Sequence, residues 1–134
     1  MTDDPTRFLL EPAAYTDEGW FAREQRQLFA RTWHVVAHTD QLPLPRDFVT
    51  VRVGGVPIVV VRHEDGSLRG FHNVCRHRGM VILDGYGNTP DDIECTYHGW
   101  RYDLDGSNTF VQQEQEFFDF DRADYGLVPV HCEV

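Results

Sequence analysis

The sequence predicts an antiparallel, mostly β domain preceded by a single α-helix. Three observations carry this. Beyond residue 33 the apolar residues recur with a period of two in short runs, the spacing of strands. Gly- and Asp-rich stretches punctuate those runs, as hairpins require. Only residues 17–31 show helical spacing.

The elements follow in order. Residues 1–32 read as an irregular arm and a helix, and residues 33–134 as the β domain. Thr16 is the expected N-cap, with Asp17 and Glu18 in the first turn, where negative charge suits the helix dipole. Trp20, Phe21, Leu28 and Phe29 form a rough apolar stripe, and Arg31 closes the helix. "WHVVAH" (33–38) reads as a short strand that "LPLPRD" breaks. Residues 48–62 read as two strands around Gly54-Gly55, a strong hairpin signal. "HEDGS" (63–67) is a turn into a strand at 68–74, and 84–92 is a polar loop. "IEC" and "WRYDL" are short strands, "DLDGS" (103–107) is a turn, and "GLVPVHCEV" (126–134) is a last strand.

Composition narrows the function. The chain has 134 residues, enough for one domain with a real core. Its net charge of −10 argues against a nucleic-acid partner and against an anionic membrane surface. No apolar run approaches the roughly 18 residues of a membrane helix, and "MTDDPTRFLLEP" lacks the pattern of a secretory signal. The expected location is cytoplasmic. Three cysteines, Cys75, Cys95 and Cys132, are too few and too uneven for a disulfide framework.

Two short boxes carry the chemistry. The first is Cys75-Arg76-His77 and the second is Cys95-Thr96-Tyr97-His98, with seventeen residues between His77 and Cys95. Isolated pairs would be buried thiols and surface imidazoles. Two such pairs, each followed closely by a glycine, point to a metal instead. A tetrahedral Cys2His2 zinc site, as in a zinc-stabilised interaction module, has the right donor count. Its usual arms pair Cys with Cys and His with His, however, and both arms here are mixed. Mixed arms suit a binuclear iron–sulfur cluster, in which one iron takes both thiolates and the other both imidazoles, so that each loop spans both irons.

"NVCRHRG" and "CTYHGWRYDLDG" together resemble the Rieske signature, and their flanks resemble the amino-terminal domain of the large (alpha) subunit of Rieske non-haem iron oxygenases, the aromatic-ring-hydroxylating type and its demethylating relatives. The resemblance covers nearly the whole chain. It implies stacked antiparallel sheets with two cluster-binding hairpin loops. It also implies one [2Fe-2S] cluster held by Cys75, His77, Cys95 and His98, with Arg76, Gly79, Gly99, Trp100 and Tyr102 around it. In cytochrome-complex Rieske proteins a serine hydroxyl takes the place of Trp100, so the potential here is expected near the low end of the Rieske range, roughly −150 mV. The family activates oxygen at a mononuclear Fe(II) in a second domain, expected to begin about where this chain stops. On that reading the polypeptide relays one electron from a reductase or ferredoxin to a catalytic domain of its own or a neighbouring subunit. An autonomous Rieske ferredoxin is the alternative.

The remaining candidates read more plainly. Arg76 and Arg78 either offset cluster charge, meet a partner or are simply solvated. Cys132 is a strand residue, His34 and His38 are weak metal candidates, and His72 packs beside the first box. Asp119, Asp121 and Asp124 belong to a solvated connector.

Overall fold

The computed structural model describes residues 10–134. Most of the expected irregular arm therefore lies outside the described residues. The chain divides into two compact units, one ending at His34 and the other running from Val35 to Val134.

The first unit has a 3-10 turn at Pro12–Tyr15, helix α1 at Glu18–Gln27 and another 3-10 turn at Phe29–Arg31. Asp17, not Thr16, is the N-cap: its Oδ1 accepts the Trp20 N–H at 2.7 Å. A carboxylate is the stronger, charge-assisted acceptor, and the Thr16 N–H already closes the preceding turn on the Ala13 carbonyl at 3.2 Å. The helix stops at Gln27, short of 31, because the Arg31 N–H bonds Leu28 in a tighter 3-10 turn. No residue of α1 is buried.

The expected strand at 33–38 does not form. Val35 is fully exposed, and an alternating pattern makes a strand only where a neighbour offers a ladder and a packed face. His38 instead caps a 3-10 turn at Thr39–Gln41, its backbone N–H donating to Gln41 Oε1 at 2.8 Å.

The second unit contains two antiparallel sheets. Strands β1 (Asp47–Val53), β2 (Val56–Arg62), β3 (Leu68–His72), β4 (Tyr86–Asn88) and β8 (Pro129–Val130) form a five-stranded sheet ordered β4-β1-β2-β3-β8. Strands β5 (Ile93–Glu94), β6 (Arg101–Tyr102) and β7 (Asn108–Phe110) form the second. The β1–β2 hairpin turns on Gly54 and Gly55 with φ of 57° and 79°, the left-handed pair of a tight hairpin. Ile58 to Val61 are all buried, which suits the central strand of a sheet covered on both faces.

Two strands differ from expectation. β4 forms inside the expected polar loop at 84–92, because the free edge of β1 supplies a partner and Gly87 sits against the Phe48 ring. The last expected strand shrinks to Pro129–Val130, where β3 ends its pairing. One core joins the sheets: Phe48, Val59, Val61 and Phe71 from the first, Ile93 and Tyr102 from the second, with Cys75, Cys95 and Trp100 among them.

Candidate metal centre

The two boxes fold into the same loop. In the first, the Cys75 N–H donates to the Met80 carbonyl at 2.8 Å and the Gly79 N–H donates back to the Cys75 carbonyl at 3.0 Å. In the second, Cys95 N–H to Trp100 carbonyl is 2.8 Å and Gly99 N–H to Cys95 carbonyl is 2.9 Å. Each loop closes four and five residues past its cysteine, although the histidine follows at two positions in one and three in the other. Gly79 and Gly99 have φ of 72° and 67°, which only glycine adopts without strain.

These loops place the donors in pairs. Cys75 and Cys95 are both buried and free, and close enough to influence each other's ionisation. Burial, reinforced by Cys75, pushes the Cys95 thiol up. The His77 and His98 rings lie 4.7 Å apart. Burial, then the neighbouring His98 and Arg78, pushes His77 down, so its imidazole stays neutral and able to coordinate. His98 Nδ1 is buried with no hydrogen-bond partner, an orphan that a metal would satisfy. Among the described residues no three His, Cys, Asp or Glu side chains converge as holders of one ion. The donors instead segregate into a sulfur pair and an imidazole pair, which fits two bridged irons better than one zinc.

The surroundings are specific. Tyr102, fully buried, sets its hydroxyl 3.3 Å from Cys75 Sγ and 3.0 Å from the Arg76 nitrogen. Arg76 thus takes part through its backbone, while its side chain and that of Arg78 are exposed. Trp100 stacks parallel on His77, with centroids 4.9 Å apart and planes within 4°.

Two contributions escaped the sequence reading. Asn73 is 1% exposed, and its side chain accepts from the Ile82 and Leu83 N–H groups and donates to the Leu83 carbonyl, fixing the chain beyond the first box. The connector at 113–125 does expose Asp119, Asp121 and Asp124, but it also lays Phe117 and Phe120 against Trp100. The recurrence of Phe117, Phe120 and Tyr125 in "FFDFDRADY" was the available signal. The weaker candidates make other contacts. The His34 ring nitrogen bonds the Phe29 carbonyl at 2.7 Å, and the backbone N–H of His72 bonds Val128 at 2.8 Å. Burial pushes the Cys132 thiol up.

A β scaffold that presents two matched loops, with a pair of buried thiols and a pair of partly exposed imidazoles, is suited to a small iron–sulfur centre. Comparison specifies the class: residues 32–121 match the Rieske [2Fe-2S] domain, and the chain belongs to that family. It is 39% identical over 119 residues to the carnitine monooxygenase oxygenase subunit of Acinetobacter baumannii, covering 89% of this chain and 32% of that one. It is 38% identical over 125 residues to the biphenyl 2,3-dioxygenase alpha subunit of Rhodococcus jostii, covering 92% and 27%. The apo form of a quaternary ammonium Rieske monooxygenase superposes with a TM-score of 0.85 at 38% identity, over 90% of this chain and 35% of that one. Naphthalene 1,2-dioxygenase superposes with a TM-score of 0.80 at 35% identity, over 87% and 26%. The chain thus spans about a third or less of the length of these relatives.

Proposed function

We propose that this chain is the electron-delivering domain, residues 33–134 behind an N-terminal arm and helix, of a Rieske non-haem iron oxygenase. Cys75 and Cys95 hold one iron of the [2Fe-2S] cluster, and His77 and His98 hold the other. The observation that carries this is the segregated donor set, a buried thiol pair beside two imidazoles, one with an orphaned buried Nδ1. When bound, the cluster takes up and releases one electron.

The protein's own groups have separable tasks. The thiols anchor the cluster in the core shared by both sheets, away from water. Gly79 and Gly99 let each loop fold back on its cysteine. Tyr102 lies 3.3 Å from Cys75 Sγ and donates to it once that sulfur is a ligating thiolate. The two imidazoles, partly exposed, form the face at which an electron enters and leaves.

Relatives named for carnitine and for biphenyl match with nearly equal identity. That supports electron delivery, not substrate choice, as the shared task. The electron comes from a reductase or ferredoxin and goes to a mononuclear-iron domain that hydroxylates or demethylates a small organic molecule. The oxygenase-subunit relatives favour this reading over an autonomous ferredoxin. No helix among the described residues is long and apolar enough to cross a membrane, and the reading places the protein in the cytoplasm.

The test is anaerobic purification with iron and sulfide analysis and EPR of the reduced protein. Two irons and two sulfides per chain are expected, with the chromophore lost in His77→Ala and Cys75→Ser. A colourless zinc protein, or a chromophore that survives His77→Ala, overturns the reading.

A further inference from the structure

We infer that Trp100 is a positioning residue: its indole, braced by an aromatic strap spanning residues 113–125, sets the plane of the His77 imidazole. The inference rests on the proposal that His77 is an iron donor, and it goes further by making the two imidazoles inequivalent.

The two rings meet different neighbours. His77 lies flat on Trp100, at 4.9 Å and 4°. Phe117 meets His77 edge-on, at 6.1 Å and 78°. Among the described residues His98 has no indole beside it; its close neighbour is Tyr97, at 3.8 Å and 30°, and Tyr97 is 56% exposed. One ring is therefore clamped between a buried indole and the edge of Phe117, and the other is covered by an exposed side chain.

Trp100 is itself held. It is 2% exposed. Phe117, Phe120 and Tyr125 all meet its ring edge-on, at 6.0, 5.7 and 5.9 Å with interplanar angles of 75° to 78°. Phe120 and Tyr125 also stack on each other at 4.5 Å. Aromatic pairs have preferred orientations, so this array resists rotation of the indole, not only its displacement.

The strap is built to deliver those rings. Gln113 and Asp119 have φ of 57° and 50°, left-handed values uncommon for residues other than glycine. They bracket the stretch that carries Phe117. Arg122 ties the strap down, donating to Glu114 Oε1 at 2.9 Å and to the Thr109 carbonyl of β7 at 2.7 Å. Asp121 caps the following turn by accepting the Ala123 N–H at 2.9 Å. A tryptophan that merely filled the core would need none of its parallel alignment with His77.

The imidazole plane governs overlap between the ring nitrogen and its iron, so the test reads that overlap in the reduced holoprotein. Pulsed EPR gives one nitrogen coupling for each coordinating imidazole. In Trp100→Leu, with iron and sulfide still complete, one coupling and the g-values shift while the other coupling stays. Trp100→Phe keeps a flat ring and retains the native couplings. Phe120→Leu loosens the brace and shifts the same coupling to a smaller extent. Tyr97→Leu, on the opposite ring, shifts only the other coupling, which assigns the two.

Native couplings in a fully loaded Trp100→Leu overturn the inference, as does an equal shift of both. Loss of the cluster from Trp100→Phe also overturns it, because a phenyl plate should suffice. If Trp100→Leu does not load, Phe120→Leu decides: unchanged couplings there count against the brace. Failure of the underlying proposal shows separately, as wild-type protein without inorganic sulfide.

Discussion

The hydroxyl of Tyr102 bridges the first ligand loop, 3.3 Å from Cys75 Sγ and 3.0 Å from the Arg76 nitrogen. The Arg76 N–H donates to the phenol oxygen. Once Cys75 is a ligating thiolate its sulfur carries no proton, so across that contact the phenol O–H is the donor. Burial, chiefly, raises the Tyr102 pKa further above its ordinary value, so the proton remains in place at any working pH.

A donor to a ligating sulfur stabilises the more negative, reduced cluster and raises its potential. Tyr102→Phe should therefore lower the midpoint. A hydrogen bond worth about 1 kcal/mol corresponds to roughly 40 mV for one electron. The sequence reading expected a low potential because Trp100 offers no hydroxyl; Tyr102 supplies one, and its removal should expose the full effect. Voltammetry of the loaded variant checks this, and a midpoint within about 10 mV of wild type would count against the bond.

Asn73 should be critical although it touches no ligand. Asn73, itself 1% exposed, is replaced in Asn73→Ala by a side chain that strands the Ile82 and Leu83 N–H groups and the Leu83 carbonyl. Unpaired buried groups cost about 1–3 kcal/mol each, partly relieved by water. A loss of roughly 3 kcal/mol, or about 10 °C in Tm, is expected. The chain leaving the first loop also loosens, so iron should dissociate faster on chelator challenge. Asn73→Asp keeps the acceptor and loses the donor to Leu83, and should fall between the two.

Loading should release protons. In the metal-free chain, burial raises Cys95 and lowers His77, so near neutrality the thiol is protonated and the imidazole is not. Only the thiolate binds iron, so assembly must expel a proton from each protonated thiol. The sign follows: a thiol pKa raised in the empty site favours the empty, protonated state as pH falls. Protonation of His77 does not compete until the pH lies below the ordinary imidazole range. Reconstitution yield should rise between about pH 6 and pH 8.5, tracked by visible absorbance, with acid release recorded by an indicator dye. A yield indifferent to pH, with no protons released, would contradict this.

The sequence was informative where geometry is local. Gly54-Gly55 needs only its own two left-handed residues to turn the chain, and it does. The two ligand boxes were visible because donors must sit close together along the chain to span adjacent metals. What failed was non-local. "WHVVAH" carries strand spacing but finds no ladder, whereas "YGN" has poor strand propensity and pairs because β1 has a free edge. The strap was missed for a similar reason. Its acidic residues are solvated as expected, while the work of Phe117, Phe120 and Tyr125 depends on where Trp100 lies. Asn73 lies within the first motif, but its partners lie nine and ten residues on.

Gly106 tests how the two sheets are joined. It lies in the turn between β6 and β7, with φ of 82°. A Cβ there would lie 2.5 Å from Cε1 of Phe71, a buried ring on β3. The Leu127 N–H donates to the Gly106 carbonyl at 2.7 Å, so the turn cannot retreat without breaking that bond. Gly106→Ala therefore combines left-handed strain, about 1 kcal/mol, with overpacking of about 1–3 kcal/mol. A destabilisation of roughly 3 kcal/mol is expected from denaturant unfolding. Trimming the ring in a Gly106→Ala, Phe71→Leu double variant removes the clash but not the strain. The double-mutant cycle should then show a coupling of about 1 kcal/mol or more in the rescuing direction. Strict additivity of the two substitutions would mean that the turn adapts on its own and that this contact does not hold the sheets in register.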